Sequence, residues 1–544
     1  MLAIFLAFIT FFGASQSTQE KKIHYQIKPV PTADRTNLEI TFRFKIDEKQ
    51  INIKLPTDYY GTPNLHQYVT SLTGETGTIV RAGKTENERI VEPNKNGEVR
   101  LKYNISYPPI FAGTFSPNVS AKHFHVAGCQ WALQIGEFEQ EHLLKVELIN
   151  IPSNWQMYSS LGANPLKFET KISYQNLIAT AIGGGEKQNF QQFKYKEKPV
   201  SVFIQGKFDI PNQEIFDAVQ KIVALQRDWF SDYTQPFYNV VILPKEDNIA
   251  GTRIENQFIC FIKKDITRQQ LYVLLSHEMF HNWLDSSLIK PEKGVTSLRY
   301  AWFHEGVNEY FARKLLLEAN LLSQKEFADL FNQDVLDIAD NPNRAATFDD
   351  LLAATKTGKY NQAFNKMSYY RGALIALNWE AQIGNSKNGK TLGDLIREAY
   401  FLSKKNNGIS ETQFFELANK YGINAQKDFE SYILRGEPIN LEPDAFGKSF
   451  VLRETNVPKF EPGFILRESL KNKKIVELKE DSAAFRAGLR NEMKLIEIEN
   501  ENRFSNAWNP NKSLVVIVEI DGREKRFEIH FEKSHKLLLF EEIK

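Results

Sequence analysis

Between about residues 20 and 185, apolar and polar residues alternate in short runs broken by turn residues. LEITFRFKI (38–46), INIKLP (51–56), EVRLKYNISY (98–107) and LLKVELINIP (143–152) show the period of two of strands with one buried face. This stretch predicts an antiparallel, sandwich-like β domain, and Gly183-Gly184-Gly185 reads as a linker at its end. Beyond it the period lengthens. NQEIFDAVQKIVALQRDWF (212–230) places apolar residues at three- and four-residue steps, which predicts a helix. FYNVVILP (237–244) and NQFICFI (256–262) read as strands, whereas QQLYVLLSHEMFHNWL (269–284), NEYFARKLLLEANLL (308–322) and GALIALNWEAQI (372–383) read as helices. In the last hundred residues the pattern changes again. KKIVELKEDSAAFRAGL (473–489) predicts a strand, a small-residue turn and a short helix, and MKLIEIEN, SLVVIVEID and KRFEIHFE follow as strands.

A length of 544 residues agrees with several domains, at a prior of about 150 residues each. Net charge is +1, so no global field draws in nucleic acid or an anionic membrane. The first residues alter the picture. Leu2 to Phe12 are nearly all apolar and are followed by Gly13, Ala14 and Ser15, the pattern of a secretory signal cleaved near Ser15 or Ser17. No other segment is long and apolar enough for a transmembrane anchor. The only cysteines, Cys129 and Cys260, lack metal-site spacing and read as two buried thiols.

The candidate chemistry lies in LLSHEMFHNWLDSS (274–287). His277 and His281 stand four apart, so on a helix both imidazoles project from one face and reach one metal ion. Glu278, next to the first histidine, is close enough to meet a metal-bound water without ligating. Leu274, Leu275, Phe280, Trp283 and Leu284 are expected to bury the helix. A catalytic zinc takes a third protein ligand and keeps one position open. Downstream, RYAWFHEGVNEYFARKL (299–315) offers Glu305, before a glycine that permits close helix packing; Glu309 and His304 compete with it.

HExxHxW followed by WFxEGxxEYF resembles the gluzincin metallopeptidases. More closely, it resembles the glycyl aminopeptidase family, whose members carry a C-terminal PDZ domain. HNWLDSSLIKP (281–291) and YQNLIATAIGGGE (174–186) are similar to further family stretches. The resemblance implies that Glu305 is the third zinc ligand. It also implies that MSYYRGALIAL (367–377) supplies an oxyanion donor in Tyr369, with Tyr370 as its neighbouring alternative. NIAGTRIENQFICF (248–261) resembles the edge strand on which related aminopeptidases hold the substrate's α-ammonium, a role that maps to Glu255. Here the family glycines are replaced by Thr252 and Arg253, and Gly251 lies one residue early. In the tail, Pro462-Gly463-Phe464-Ile465, Ser482-Ala483-Ala484 and Ala487-Gly488-Leu489 resemble a PDZ domain, with Asn491-Glu492 in place of the usual Gly-Asp.

The expected fold is therefore multidomain α+β. A signal peptide (1–17) precedes an N-terminal antiparallel β domain (18–185), a mainly helical thermolysin-like catalytic domain (186–445) and a PDZ-like domain (446–544). The expected function is an exported, periplasmic or secreted, zinc-dependent aminopeptidase that removes N-terminal residues from peptides, with Glu278 activating the zinc-bound water. Peptides are the expected substrates, and a C-terminal peptide is the candidate ligand of the PDZ-like domain. The alternatives are a PDZ-steered zinc endopeptidase and an inactive peptidase-like protein that binds peptides.

Overall fold

The computed structural model describes residues 20–56, 62–109, 116–246, 249–291, 295–386, 389–499 and 513–543. The expected signal segment, 1–17, lies outside the described residues. The chain forms two compact units. One comprises Met1–Gln220 with Asp232–Ile266, and the other Lys221–Ser231 with Thr267–Lys544.

The first unit is built on strands whose alternation matches their burial. In Thr36–Lys45 every second residue is buried, Leu38, Ile40, Phe42 and Phe44 among them. A six-stranded sheet runs in the order Lys167–Ser173, Glu141–Leu148, Lys22–Pro31, Thr36–Lys45, Glu98–Ile105, Val69–Gly74. Its pairings are antiparallel except one: Lys22–Pro31 runs parallel to Glu141–Leu148, which departs from the all-antiparallel expectation. The core holds Tyr25, Phe42, Tyr103 and Trp131.

Gly183-Gly184-Gly185 is not a linker. The three glycines sit inside the buried strand Ala181–Glu186, paired on both sides with Trp155–Ser159 and His123–Ala127. A Cβ on Gly183 would lie 2.3 Å from the Tyr158 hydroxyl, and one on Gly184 2.3 Å from Met157 Sδ. The run is glycine because neighbouring side chains occupy the space, not because the chain must flex. A shared apolar cluster joins Tyr158 and Ala181 to Phe203, Val241, Ile259 and Phe261 of the next sheet. That sheet runs Phe190–Tyr195, Lys198–Ile204, Tyr238–Pro244, Gln257–Ile262, Ala250–Ile254, with its three central strands parallel. Cys129 and Cys260 are both buried thiols of this unit.

Helix α1 (Asn212–Phe230) coincides with its predicted span, and the division between the units passes through it. The second unit contains α2 (Arg268–Phe280), α3 (Asn308–Glu318), α4 (Gln324–Asp340) and α5 (Gln362–Asn385). Thr267 caps α2 by accepting from the Gln270 amide, and Gln270 reaches back to the Thr267 amide. The helix ends at Phe280, short of the expected 284, with His281 at its C-cap. Leu275 and Phe280 of the helix and Trp283 and Leu284 of the turn after it are buried as expected, while Leu274 stays partly exposed.

The C-terminal stretch of this unit has its own apolar cluster of Phe464, Ile475, Leu489, Val516 and Phe527, over a sheet of Lys494–Glu499, Leu514–Ile520 and Arg523–Ile529. The strand expected at the start of 473–489 reduces to a single bridge between Lys474 and Lys494. A separate antiparallel pair, Phe450–Pro458 with Ser534–Glu542, was not evident from the sequence. Among the described residues, no helix is long and apolar enough to cross a membrane.

Candidate metal centre

The site grows from the last turn of α2 and the segment that enters α3. Gln226 of α1 donates to the Ser276 hydroxyl (2.8 Å) and carbonyl (2.9 Å), and Ser276 donates to the Ala312 carbonyl (2.9 Å). These buried bonds pin α2 between α1 and α3, while Phe280 stacks on Phe311 behind them. His277 and His281 then face the same side, their Nε2 atoms 3.0 Å apart.

Glu305 arrives on a π-helical turn, Trp302–Val307, that runs directly into α3. Such wide turns re-aim side chains and recur at functional sites. Here the turn brings Glu305 Oε2 to 3.2 Å from His277 Nε2 and 3.6 Å from His281 Nε2. The three ligand atoms thus form a triangle with edges of 3.0, 3.2 and 3.6 Å. Three ligands at about 2.0–2.1 Å from a tetrahedral ion stand about 3.3 Å apart. The donor set therefore fits zinc in both chemistry and spacing, and among the described residues it is the only such cluster.

The imidazoles are oriented from behind. His277 Nδ1 donates to Glu309 Oε2 at 2.8 Å, and His281 Nδ1 donates to the Leu284 carbonyl at 3.1 Å. Both Nε2 atoms are thereby directed into the cluster. Asn308, fully buried, touches the His281 Nδ1 edge at 2.9 Å and donates to the His277 carbonyl.

The electrostatics favour a cation here. Burial works against charge on His277, yet its hydrogen bonds to Glu305 and Glu309 raise it to about 10. Burial pushes the Glu305 carboxyl up, but the two histidines hold it well below the carboxylate range. Glu309 falls to about 2, burial being outweighed by Arg313 and His277. Glu278 moves the other way. Burial raises it, Glu305 and Glu309 raise it further, and the histidines oppose them. A carboxylate raised in this way holds a proton more readily than a solvated one, as a proton carrier must.

Tyr369 and Tyr370 part company on α5. Tyr369 stacks on the His277 ring (centroids 5.7 Å apart, 17° between planes) and lies in the field of the Glu305 carboxylate, whereas the carboxylates that act on Tyr370 are Asp337 and Asp334 of α4. The rival ligand candidates are also placed. Glu309 lies on the Nδ1 side of His277, and both His304 nitrogens are buried without a protein partner. Glu255 belongs to the first unit, where it opens the turn between Ala250–Ile254 and Gln257–Ile262, followed by Asn256 at φ 56°.

A family model for the M61 glycyl aminopeptidases matches residues 270–375, the segment that contains His277, Glu278, His281, Glu305 and Tyr369. Residues 270–375 are an M61 glycyl aminopeptidase domain. The chain is accordingly a zinc metallopeptidase of aminopeptidase type. No curated protein matches its sequence. In three dimensions it is similar to an aminopeptidase N family protein from Idiomarina loihiensis, with a TM-score of 0.69 and 16% identity over 96% of each chain, a likeness of fold. An M1 zinc metallopeptidase from Deinococcus radiodurans matches at a TM-score of 0.44 and 16% identity, over 78% of this chain and 95% of that one. Yeast LTA4 hydrolase in complex with bestatin matches at a TM-score of 0.43 and 10% identity, over 78% of this chain and 69% of that one.

Around the candidate ligands His277, His281 and Glu305 the sequence reading missed Asn308, Arg313 and Asp334. Arg313 stands four residues after Glu309, the spacing of a helical ion pair, and that signal was available. Asp334 lies on another helix and had none.

Proposed function

We propose that this chain is an exported zinc aminopeptidase in which Glu278 moves the proton and Tyr369 binds the oxyanion. The observation that carries the reading is the His277, His281 and Glu305 triangle with a buried carboxylate beside it, in a segment that matches the glycyl aminopeptidases. Zinc held by these three residues would supply a Lewis acid that acidifies water and polarises a carbonyl. Glu278 takes a proton from the attacking water and delivers it to the leaving amine. Tyr369, kept protonated by burial and by the neighbouring Glu305 charge, donates to the oxygen on which charge develops. Glu255 is the proposed anchor of the substrate's α-ammonium, and this role rests on the sequence resemblance. The apolar Leu2 to Phe12 run followed by small residues supports export, and the cluster around Phe464 and Phe527 supports a PDZ-like module at the C-terminus.

The test is amino-acid release from glycyl and alanyl amides by the purified full chain. Release is expected to stop with a chelator and return with zinc. Glu278→Gln is expected to keep about one zinc per chain and to lose nearly all of the rate, and full activity in that variant would remove Glu278 as the proton carrier. N-acetylated peptides are expected to resist cleavage; brisk cutting of them identifies an endopeptidase instead. N-terminal sequencing of the chain recovered from its host tests export, and a chain that still begins at Met1 contradicts it.

A further inference from the structure

Behind His277 lies a closed line of buried charge. Glu309 Oε2 accepts from His277 Nδ1, and its other oxygen, Oε1, accepts from Arg313 Nε (3.1 Å) and an Arg313 terminal nitrogen (2.9 Å). Arg313 then reaches across to α4, where its two terminal nitrogens grip both oxygens of Asp334 at 2.6 and 3.2 Å. Its remaining donor meets the Leu330 carbonyl at 3.4 Å. All five guanidinium N–H groups are used, and the Arg313 and Asp334 side chains are only 6% and 4% exposed. Phe331 covers the guanidinium at 5.0 Å.

Helix α4 is itself anchored. The Asn332 side chain donates to the Phe540 carbonyl and accepts from the Phe540 amide, both at 2.8 Å, and His535 pairs with Asp340 at 2.8 Å. Asp334 is thus presented by a helix fastened along its length to the strand Ser534–Glu542.

We infer that Arg313 and Asp334 are positioning residues of the metal centre, fixing Glu309 so that His277 keeps its Nδ1 proton and presents Nε2 to the ion. The physical need is plain. A carboxylate behind a ligating imidazole sets the ring's tautomer and orientation, but a buried carboxylate free to rotate or protonate sets neither. A planar fork engaged on both sides removes that freedom, and a lysine has no such fork. The inference rests on the zinc reading of His277, His281 and Glu305.

The measurement is zinc affinity of the full chain by competition with a chromogenic chelator, together with the visible spectrum of the Co²⁺-substituted protein. Two variants are used. Arg313→Met/Asp334→Leu removes both buried charges at similar volume, and Asp334→Asn keeps the shape while removing one charge. Weakening of zinc binding by about 10- to 100-fold is expected, with a shifted cobalt spectrum. Near-UV circular dichroism identifies the folded variants. A folded variant of either design with wild-type zinc affinity and an unshifted spectrum overturns the inference and leaves the zinc reading intact. A wild-type chain that binds no zinc overturns both. A merely structural pair would lower the melting temperature without moving affinity or spectrum.

Discussion

Tyr369 and Tyr370 are adjacent in sequence and differ in surroundings, which makes them a sharp test. Tyr369→Phe is expected to lower kcat by about 10²–10³, the usual cost of one oxyanion donor, at unchanged zinc content. Tyr370→Phe, which removes a hydroxyl acted on by Asp337 and Asp334 rather than by the Glu305 carboxylate, is expected to leave kcat within a few-fold. Steady-state kinetics on an alanyl amide decide it, and equal losses in the two variants would deny Tyr369 its special role. The sequence pointed unaided to His277 and His281 as a candidate ligand pair, since four-residue spacing puts them on one face of a helix. It left Glu305, Glu309 and His304 open as third ligands, and only resemblance chose among them. The geometry separates them because the π-helical turn aims Glu305 at the Nε2 atoms and leaves Glu309 behind the ring. Asp334 was invisible because its partnership with Arg313 is made between helices, by packing that no local pattern encodes.

The close crossing of α5 over the π-helical turn holds Tyr369 beside Glu305. At this crossing Gly306 and Gly372 meet backbone to backbone: a Cβ on Gly372 would lie 1.9 Å from the Trp302 carbonyl oxygen and 2.7 Å from Gly306 Cα. Backbone cannot yield as a flexible side chain can. Gly372→Ala is therefore expected to force α5 away, lowering stability by about 1–3 kcal/mol and kcat/KM on the order of 10²-fold. Gly384→Ala in the same helix meets open space and is expected to be neutral or to stabilise by up to about 1 kcal/mol. Thermal unfolding and kinetics of the two variants separate local crowding from helix propensity; a harmless Gly372→Ala sinks the crossing argument. Elements with a strong period were legible, α1 to its terminal residues. Elements set by partners were misread. Gly183-Gly184-Gly185 has the composition of a linker but the packing of a central strand, and the start of 473–489 has the composition of a strand but makes one bridge. The pair Phe450–Pro458 and Ser534–Glu542 joins segments too distant in sequence for any local pattern to link.

Near-complete coverage of a similar fold at 16% identity means that burial patterns, rather than residue identities, specify the architecture. Burial on that scale also traps titratable groups: in the first unit it lowers His24, His123, His125 and His142, with values of about 4 and about 3 for His123 and His125. His123 and His125 lie on the strand His123–Ala127, bonded to Ser120 and Asn118 and to Tyr158 respectively. Burial lowers His123 to about 4; burial, with His123 adding to it, lowers His125 to about 3. In the unfolded chain both titrate near 6.5. Between pH 6.5 and about 4 the unfolded state therefore binds protons that the folded state refuses, so stability is lost as pH falls. Each histidine accounts for about 3 kcal/mol by pH 4. The expected outcome is a falling unfolding midpoint between pH 7 and 4. His125→Phe, which keeps an aromatic ring against Tyr158 and removes the titrating group, is expected to flatten that slope by its own share of about 3 kcal/mol, even though it lowers the midpoint at pH 7 by costing one hydrogen bond. Chemical denaturation of both proteins at several pH values reads the slope directly. Parallel curves for wild type and variant would mean that the proton uptake responsible lies elsewhere, in carboxylates rather than in this strand.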